Sequence, residues 1–181
     1  MQMKIRILSW NVRWANNRDK RKIIKSVIKS QRVDVVCLQE TKIKEMTTGL
    51  SVVNLMGAAG DIMVFWDNRV FELVDLEEGE YSMLCHFKNC VDGVVWVFNG
   101  VYGPVNNRDR EDFWEKLGSI RGLWSDPWCV GGDFNMIRFL EERSRRWVFC
   151  INEEIFRNGR RFGAKGLSFA GGSFYLEGCS T

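Results

Sequence analysis

The sequence predicts a layered α/β domain, on three observations. Near the start a strand pattern, an amphipathic helix and a continuous apolar run follow one another directly, the order of a βαβ unit with parallel strands. The middle of the chain then holds alternating strand-like runs with a hairpin signal, so an antiparallel portion accompanies the parallel one. Three of the strands also end on polar residues, Asn11, Glu40 and Asp133, of the kind that line the crevice at the carboxyl ends of strands in such folds.

The elements come in order. "KIRILSWN" reads as the first strand, followed by a helix over Asp19 to Gln31 in which Ile23, Ile24, Val27 and Ile28 recur on one face and Lys and Arg fill the other. "VDVVCLQE", Val33 to Glu40, is apolar enough to be buried on both faces of a sheet. Strand-like runs follow in "DIMVFWD", "VFELVDL", "YSMLCHF" and "GVVWVFNGVYG", the last two joined through Asp92-Gly93. From Arg108 to Trp124, Phe113, Leu117, Ile120 and Trp124 keep helical spacing until "SDP" breaks it, and the strand in "WCVGGDFNMI" begins. Beyond Ile137, "WVFCI" reads as a strand, "NEEIFRNGRRF" as a poor helix interrupted by Gly159, and the Gly-rich end shows little periodicity.

Composition narrows the class. With 181 residues and 45% hydrophobic content, the chain reads as one domain with a real core. Two prolines and no low-complexity tract leave little room for a long linker. The net charge of +3 permits contact with phosphate but is no dedicated basic tail. Six cysteines without a C-x-x-C pair suit reduced thiols, and the start "MQMKIRILSW" is too short and too charged for a signal peptide. No run approaches the ~20 apolar residues of a membrane span, so the expected setting is intracellular, nuclear or cytoplasmic, with no membrane partner.

The strand ends carry the chemistry. Taken singly, Asn11 and Asp133 are ordinary turn or cap residues, and Glu40 could cap a helix at "TKIKEM". Together, two carboxylates and amide oxygens delivered to one point suit a hard divalent cation such as Mg²⁺, which keeps several waters and takes only one or two protein carboxylates. Hydrolysis of a phosphoester is the matching reaction.

"LSWNVR", "CLQETK", "GVYGP" and "GGDFN", in this order, resemble the motifs of the endonuclease/exonuclease/phosphatase family. The likeness is closest to the endonuclease domain of plant non-LTR (LINE-type) retrotransposon polyproteins, and "FWDNRVFELV", "DGVVWVFNGVYGP" and "IRGLWSDPWCVGGDFN" extend it. It covers residues 3–143 and leaves 144–181 as a divergent tail of the same single domain. The resemblance implies a two-sheet α/β sandwich and phosphoester cleavage with Mg²⁺, or Mn²⁺ in its place, on nucleic acid, DNA in particular. It makes Glu40 the principal metal ligand, with Asn11 helping to organise metal and phosphate. Asp133 orients or deprotonates the attacking water, Asn135 and Tyr102 hydrogen-bond the phosphate, and Arg13 and Asn106 contact substrate. Asp133 and Asn135 are expected to aim at one point because they are two apart on an extended segment.

Departures from the family pattern accompany it. Relatives continue to an Asp in an "R-L/I-D" segment and to a final Asp-His pair, and neither is present; the only histidine, His86, sits in an alternating strand far upstream. Trp14 and Asp61 stand where the pattern has Gly, Val105 stands where relatives often carry Asn, and the Met46 to Gly57 segment is short. The tail "LSFAGGSFYLEG" faintly resembles a family stretch. The expectation is a C-terminally truncated and drifted copy of the domain, incomplete at that end. "GRRFGAKG" lacks P-loop spacing, and "GLSFAG" has one residue too many for a nucleophile elbow and no histidine to activate it. Three readings follow: a Mg²⁺-dependent nuclease-type domain with an impaired catalytic set, a non-catalytic nucleic-acid-binding or interaction module on the same fold, and a non-functional retroelement remnant.

Overall fold

Alternation along the central strands sorts their side chains onto two faces. In β1 (Arg6–Asn11) and β2 (Val35–Gln39), Ile7, Val35 and Cys37 face one way while Leu8, Val36 and Leu38 face the other. The computed structural model that shows this describes residues 5–13, 15, 17–42, 46, 48–57, 60–106, 108–123, 126–135, 147–151 and 174–175. The two strands are parallel and joined by α1 (Arg18–Gln31), the βαβ unit expected from the sequence. Asn17 caps α1 by accepting the Asp19 amide at 2.8 Å, and Arg32 closes it in the left-handed conformation. Ile24 and Ile28 of the helix are buried against Leu8, Val36, Leu38, Met63 and Phe65.

The first sheet continues with β3 (Ser51–Gly57) and β4 (Gly60–Trp66), and its order is β10-β1-β2-β4-β3, where β10 is Phe174–Tyr175. The second sheet runs β5 (Phe71–Glu78), β6 (Ser82–Asn89), β7 (Val95–Tyr102), β8 (Trp128–Asp133), β9 (Trp147–Ile151) in chain order. The Asp92-Gly93 turn closes β6 onto β7: Gly93 is left-handed at φ +72°, and Asp92 Oδ1 accepts the Val94 amide at 3.0 Å. α2 (Asp109–Leu123) covers the outer face of this sheet, where Phe113 and Leu117 pack on Leu84, Val97, Val101, Trp128 and Val130. The architecture is therefore helix, sheet, sheet, helix, the two-sheet α/β sandwich that the sequence motifs imply.

Two strands were not foreseen. β3 is built from "SVVNLMG", whose apolar run is broken by Asn54 and which pairs with β4 alone at a sheet edge, so no buried-strand signal marks it. β10 is two residues long and owes its conformation to antiparallel pairing with β1 rather than to any local pattern. The poor helix expected over "NEEIFRNGRRF" and nearly all of "TKIKEM" beyond Lys42 lie outside the described residues.

Between the sheets the core tapers in side-chain size. At one end sit Trp66, Phe71, Phe87 and Trp96, with Phe87 ring centroids 5.6, 5.8 and 5.3 Å from those of Trp66, Phe71 and Trp96. At the other, the carboxyl end of β1, β2, β7 and β8, the inward positions are Ser9, Cys37, Gln39, Gly100 and Gly131. A Cβ on Gly100 would lie 3.0 Å from Cys37 Sγ, and one on Gly131 3.2 Å from the Phe98 ring, so a side chain at either position would have to displace its neighbour. Large rings at one end and small residues at the other bring the two sheets together where the strands finish. Phe87 is fully buried and touched by three rings, so Phe87→Ala is expected to cost ~3–5 kcal/mol of unfolding free energy, read from urea denaturation. A cost below ~1 kcal/mol would show that the aromatic end is loosely packed.

Candidate functional site

Parallel neighbours end together, whereas antiparallel ones carry their carboxyl ends to opposite edges. Among the described residues each sheet contains one parallel pair, β1 with β2 in the first and β7 with β8 in the second. In register, Asn11 lies opposite Gln39, and Tyr102 lies opposite Asp133. The polar strand ends foreseen in the sequence thus come from two facing sheets rather than one crevice edge. Asn11 Nδ2 donates to Asp133 Oδ2 at 2.7 Å across 122 positions of chain, and the Tyr102 hydroxyl donates to Glu40 Oε1.

Alternation alone explains three of these side chains. Ile7 and Ser9 precede Asn11 on the inward side of β1, Trp96 and Phe98 precede Tyr102 on β7, and Cys129 precedes Asp133 on β8. Glu40 is different, because it follows the inward-facing, fully buried Gln39, whose Nε2 donates to Ser9 Oγ at 3.1 Å. Two consecutive residues point inward only if the backbone leaves the strand, and Glu40 does so at φ +53°. Asp61 at the start of β4 holds that turn: its carbonyl accepts the Glu40 amide at 2.9 Å and its Oδ2 the Lys42 amide at 3.0 Å.

Asn135 corrects the extended-segment explanation. Its φ is +49°, its own amide donates to Asp133 Oδ1 at 2.9 Å, and its Nδ2 donates to the Gly103 carbonyl at 2.6 Å. The two-residue spacing is that of a side chain capping the amide two positions on, not of a pleat. Gly103 is required beside this turn, because a Cβ there would fall 2.7 Å from the Phe134 carbonyl carbon. From outside, α2 presses on the turn through Trp114, stacked on Phe134 at 10° and 5.8 Å, and through Arg110 Nη2, 3.4 Å from the Asn135 carbonyl.

Asn11, Glu40, Tyr102, Asp133 and Asn135 therefore form one hydrogen-bonded cluster, joined through Gly103. Arg13 is exposed and borders the cluster, its amide donating to Asn11 Oδ1 at 3.0 Å; Asn106, three positions after Gly103, is exposed and its Oδ1 accepts the Arg108 amide at 3.2 Å. His86 is buried on β6 opposite Val97, five positions before Tyr102 in β7 and so ~17 Å back along the sheet. Its Nε2 lies 3.7 Å from Glu77 Oε1. Sequence reasoning missed Arg110, which carries no signal beyond its helix, and the role of Asp61, visible only as a departure from a motif.

All of the convergent acceptors are oxygens. Among the described residues no group of three or more His, Cys, Asp or Glu could hold a metal. Both Asp133 oxygens are engaged, by Asn11 and by the Asn135 amide, whereas Glu40 has one carboxylate oxygen bonded to Tyr102. That donor set fits a hard cation that binds one or two carboxylates and retains water. Thiol chemistry does not fit, because burial beneath the cluster pushes the Cys37 thiol up to about 12. Burial, and then the hydrogen bond to Glu40, raise the Tyr102 phenol to about 12, with the Asn135 contact opposing them.

A phenol whose pKa is higher in the folded chain contributes stability that is complete below its unfolded value of about 10 and lost as pH rises toward 12. Glu40→Gln removes the carboxylate's share of the shift but not the burial. Spectrophotometric titration of tyrosinate is expected to show the highest of the tyrosine steps moving down in the variant while staying above 10. An unmoved step would separate Tyr102 from Glu40.

A two-sheet sandwich with acids, amides and a phenol gathered at the ends of two parallel strand pairs defines a class. The chain belongs to the endonuclease/exonuclease/phosphatase family, whose model matches residues 8–175. No curated protein sequence matches it. Solved structures share the fold. A family protein from Bacteroides thetaiotaomicron superposes with a TM-score of 0.62 at 18% identity over 75% of this chain and 65% of that one. The human Nocturnin catalytic domain with bound sulfate anion gives 0.60 at 16%, over 74% and 65%. The mannosyl-6-phosphatase Bt3783 of Bacteroides thetaiotaomicron VPI-5482 gives 0.58 at 18%, over 72% and 65%. The chain thus spans slightly less than two thirds of each of these structures.

Proposed function

We propose that the chain carries a Mg²⁺-dependent phosphodiesterase site of the endonuclease type, of retroelement origin, acting on nucleic acid with weak or no turnover. The observation that supports it most is the pair of cross-sheet contacts, Asn11 to Asp133 and Tyr102 to Glu40, which gather four strand ends into one oxygen-rich cluster. Retroelement origin rests on the order and wording of "LSWNVR", "CLQETK", "GVYGP" and "GGDFN". The fold likeness to a mannosyl-6-phosphatase leaves a phosphomonoester as the competing substrate class.

Glu40 would hold Mg²⁺, or Mn²⁺ in its place, with Asn11 beside it. When bound, such an ion supplies Lewis-acid stabilisation of charge on phosphate oxygens. Asp133, fixed by Asn11 and by the Asn135 amide, orients or deprotonates the attacking water. Asn135 donates to the Gly103 carbonyl and contacts the Tyr102 oxygen, and the Tyr102 hydroxyl, protonated throughout the physiological range, donates to Glu40; each would exchange a partner for a phosphate oxygen when substrate binds. Arg13 and Asn106, both exposed, would meet the flanking substrate.

Weak turnover is proposed for these 181 residues by themselves: relatives of this pattern use a histidine at the scissile phosphate, whereas His86, the single histidine of the sequence, is buried on β6. Loss of one preorganised donor costs roughly 10²- to 10³-fold in rate. The same location of His86 favours the second reading, a nucleic-acid-binding module that no longer cleaves.

Calorimetry is expected to show weak Mg²⁺ or Mn²⁺ binding that Glu40→Ala largely abolishes; equal affinity in the variant would reduce Glu40 to a strand terminus. In a supercoiled-plasmid assay, Mg²⁺-dependent nicking is expected to be very slow or undetectable. Robust nicking that Asp133→Ala abolishes would refute the impairment and reveal another residue in place of the histidine.

A further inference from the structure

On α1, Arg18, Lys22, Lys25 and Lys29 recur at i, i+4, i+7 and i+11, and all four are exposed. That spacing puts them in one stripe along the helix, about a third of a turn round from the face that buries Ile24 and Ile28. Arg21 flanks it, and Asp19 is the helix's only acid, 3.4 Å from Lys22.

The stripe breaks two local rules at once. Like charges three or four apart, as in Arg18 with Lys22 and Lys25 with Lys29, destabilise a helix, where alternating signs would be as soluble and more stable. Cations in the first turn, Arg18, Lys20 and Arg21, also oppose the helix dipole. A local pattern that costs stability and buries nothing points to a partner.

Its position says which partner. The amino end of α1 lies at the carboxyl end of β1, and Lys20 Nζ donates to the Arg13 carbonyl at 2.8 Å, while the Arg13 amide bonds Asn11 of the cluster. The stripe therefore begins, at Arg18, from the end of the helix that is anchored beside the site, where the Arg13 side chain is exposed. The opposite flank is acidic: β5 carries Glu72, Asp75, Glu77 and Glu78, all exposed. Among the described residues α1 and β5 thus differ in sign although the net charge is only +3.

We infer that the outer stripe of α1 is a track for the phosphate backbone of a polynucleotide, leading to the strand-end cluster through Arg13. The helix is ~21 Å long. One strand of a duplex places a phosphate every ~3.4 Å of axis, so the stripe matches a run of several phosphates and is far longer than a single phosphate group. This deepens the phosphodiesterase reading by choosing a polymer over a small phosphomonoester, and it rests on that reading for the chemistry at the end of the track.

The test uses the 181-residue chain, a fluorescent mixed-sequence DNA duplex and a chelator, with anisotropy recorded across a salt series. Each phosphate contact contributes ~0.9 to the slope of log K against log salt, so K22Q/K25Q/K29Q is expected to weaken binding and flatten the slope by ~2.7 with unchanged circular dichroism. Glu40→Ala, which removes the proposed ion ligand, should keep the parent slope, so a chain that fails to cleave still reports on the track. An unchanged slope in the triple variant overturns the inference. So does a parent chain that binds phosphatidylserine vesicles but not the duplex.

Discussion

The site depends on how closely the two sheets approach at one end of the sandwich. Asn11 and Glu40 follow strands of the first sheet and Tyr102 and Asp133 strands of the second, and hydrogen bonds can join them only if the inward positions just beneath are small. Gly100 against Cys37 and Gly131 against Phe98 and Ser9 meet that requirement, and the aromatic group around Phe87 fills the other end. The glycines before Asp133 are thus as much part of the site as the carboxylate. A bulky side chain at Gly100 or Gly131 would damage the cross-sheet contacts before it damaged any group that touches substrate.

Backbone conformation at the strand ends answers to the same constraint. Among the described residues five non-glycine positions have positive φ: Arg13, Arg32, Glu40, Lys42 and Asn135. Arg32 closes a helix, an ordinary use. The other four follow β1, β2 and β8 at the cluster, where left-handed residues without a glycine's freedom carry a steric cost. Glu40 gains the inward direction that its strand register denies it, and Asn135 gains a turn whose amide fixes Asp133. Unfavourable conformations gathered at one end, each with a hydrogen bond that uses it, are the mark of a site held in place by the surrounding fold.

Much of this was legible in the sequence because it is periodic. The βαβ start, the Asp92-Gly93 hairpin and the Phe113-Leu117-Ile120 face follow from alternation and helical spacing, and inward residues such as Asn11 follow from the same count. What was not legible is what periodicity does not encode. Glu40 points inward by leaving its strand, Asn135 serves by a turn, and Asp61 acts through a loop on another strand. β3 and β10 are made by their neighbours, through edge pairing that no window of local sequence records. Even the separation of the strand ends between two sheets needs the antiparallel β3–β7 order to be laid out in space.

The division of the cluster has an energetic consequence. Among the described residues each sheet contributes one parallel pair and part of the polar cluster, and each is covered by its own helix, so neither holds a site by itself. Docking the sheets buries the shared core, and that burial brings Asn11 to Asp133 and Tyr102 to Glu40. Site geometry and inter-sheet packing are therefore one cooperative quantity, and loosening at the aromatic end reaches the polar end through rigid strands. The two helices do not share this burden equally. α2 grips the Asp133–Asn135 turn directly through Arg110 and Trp114, whereas α1, among the described residues, is tied to it by the Lys20 bond to the Arg13 carbonyl, so the charge of its outer stripe can be changed without disturbing the site's geometry.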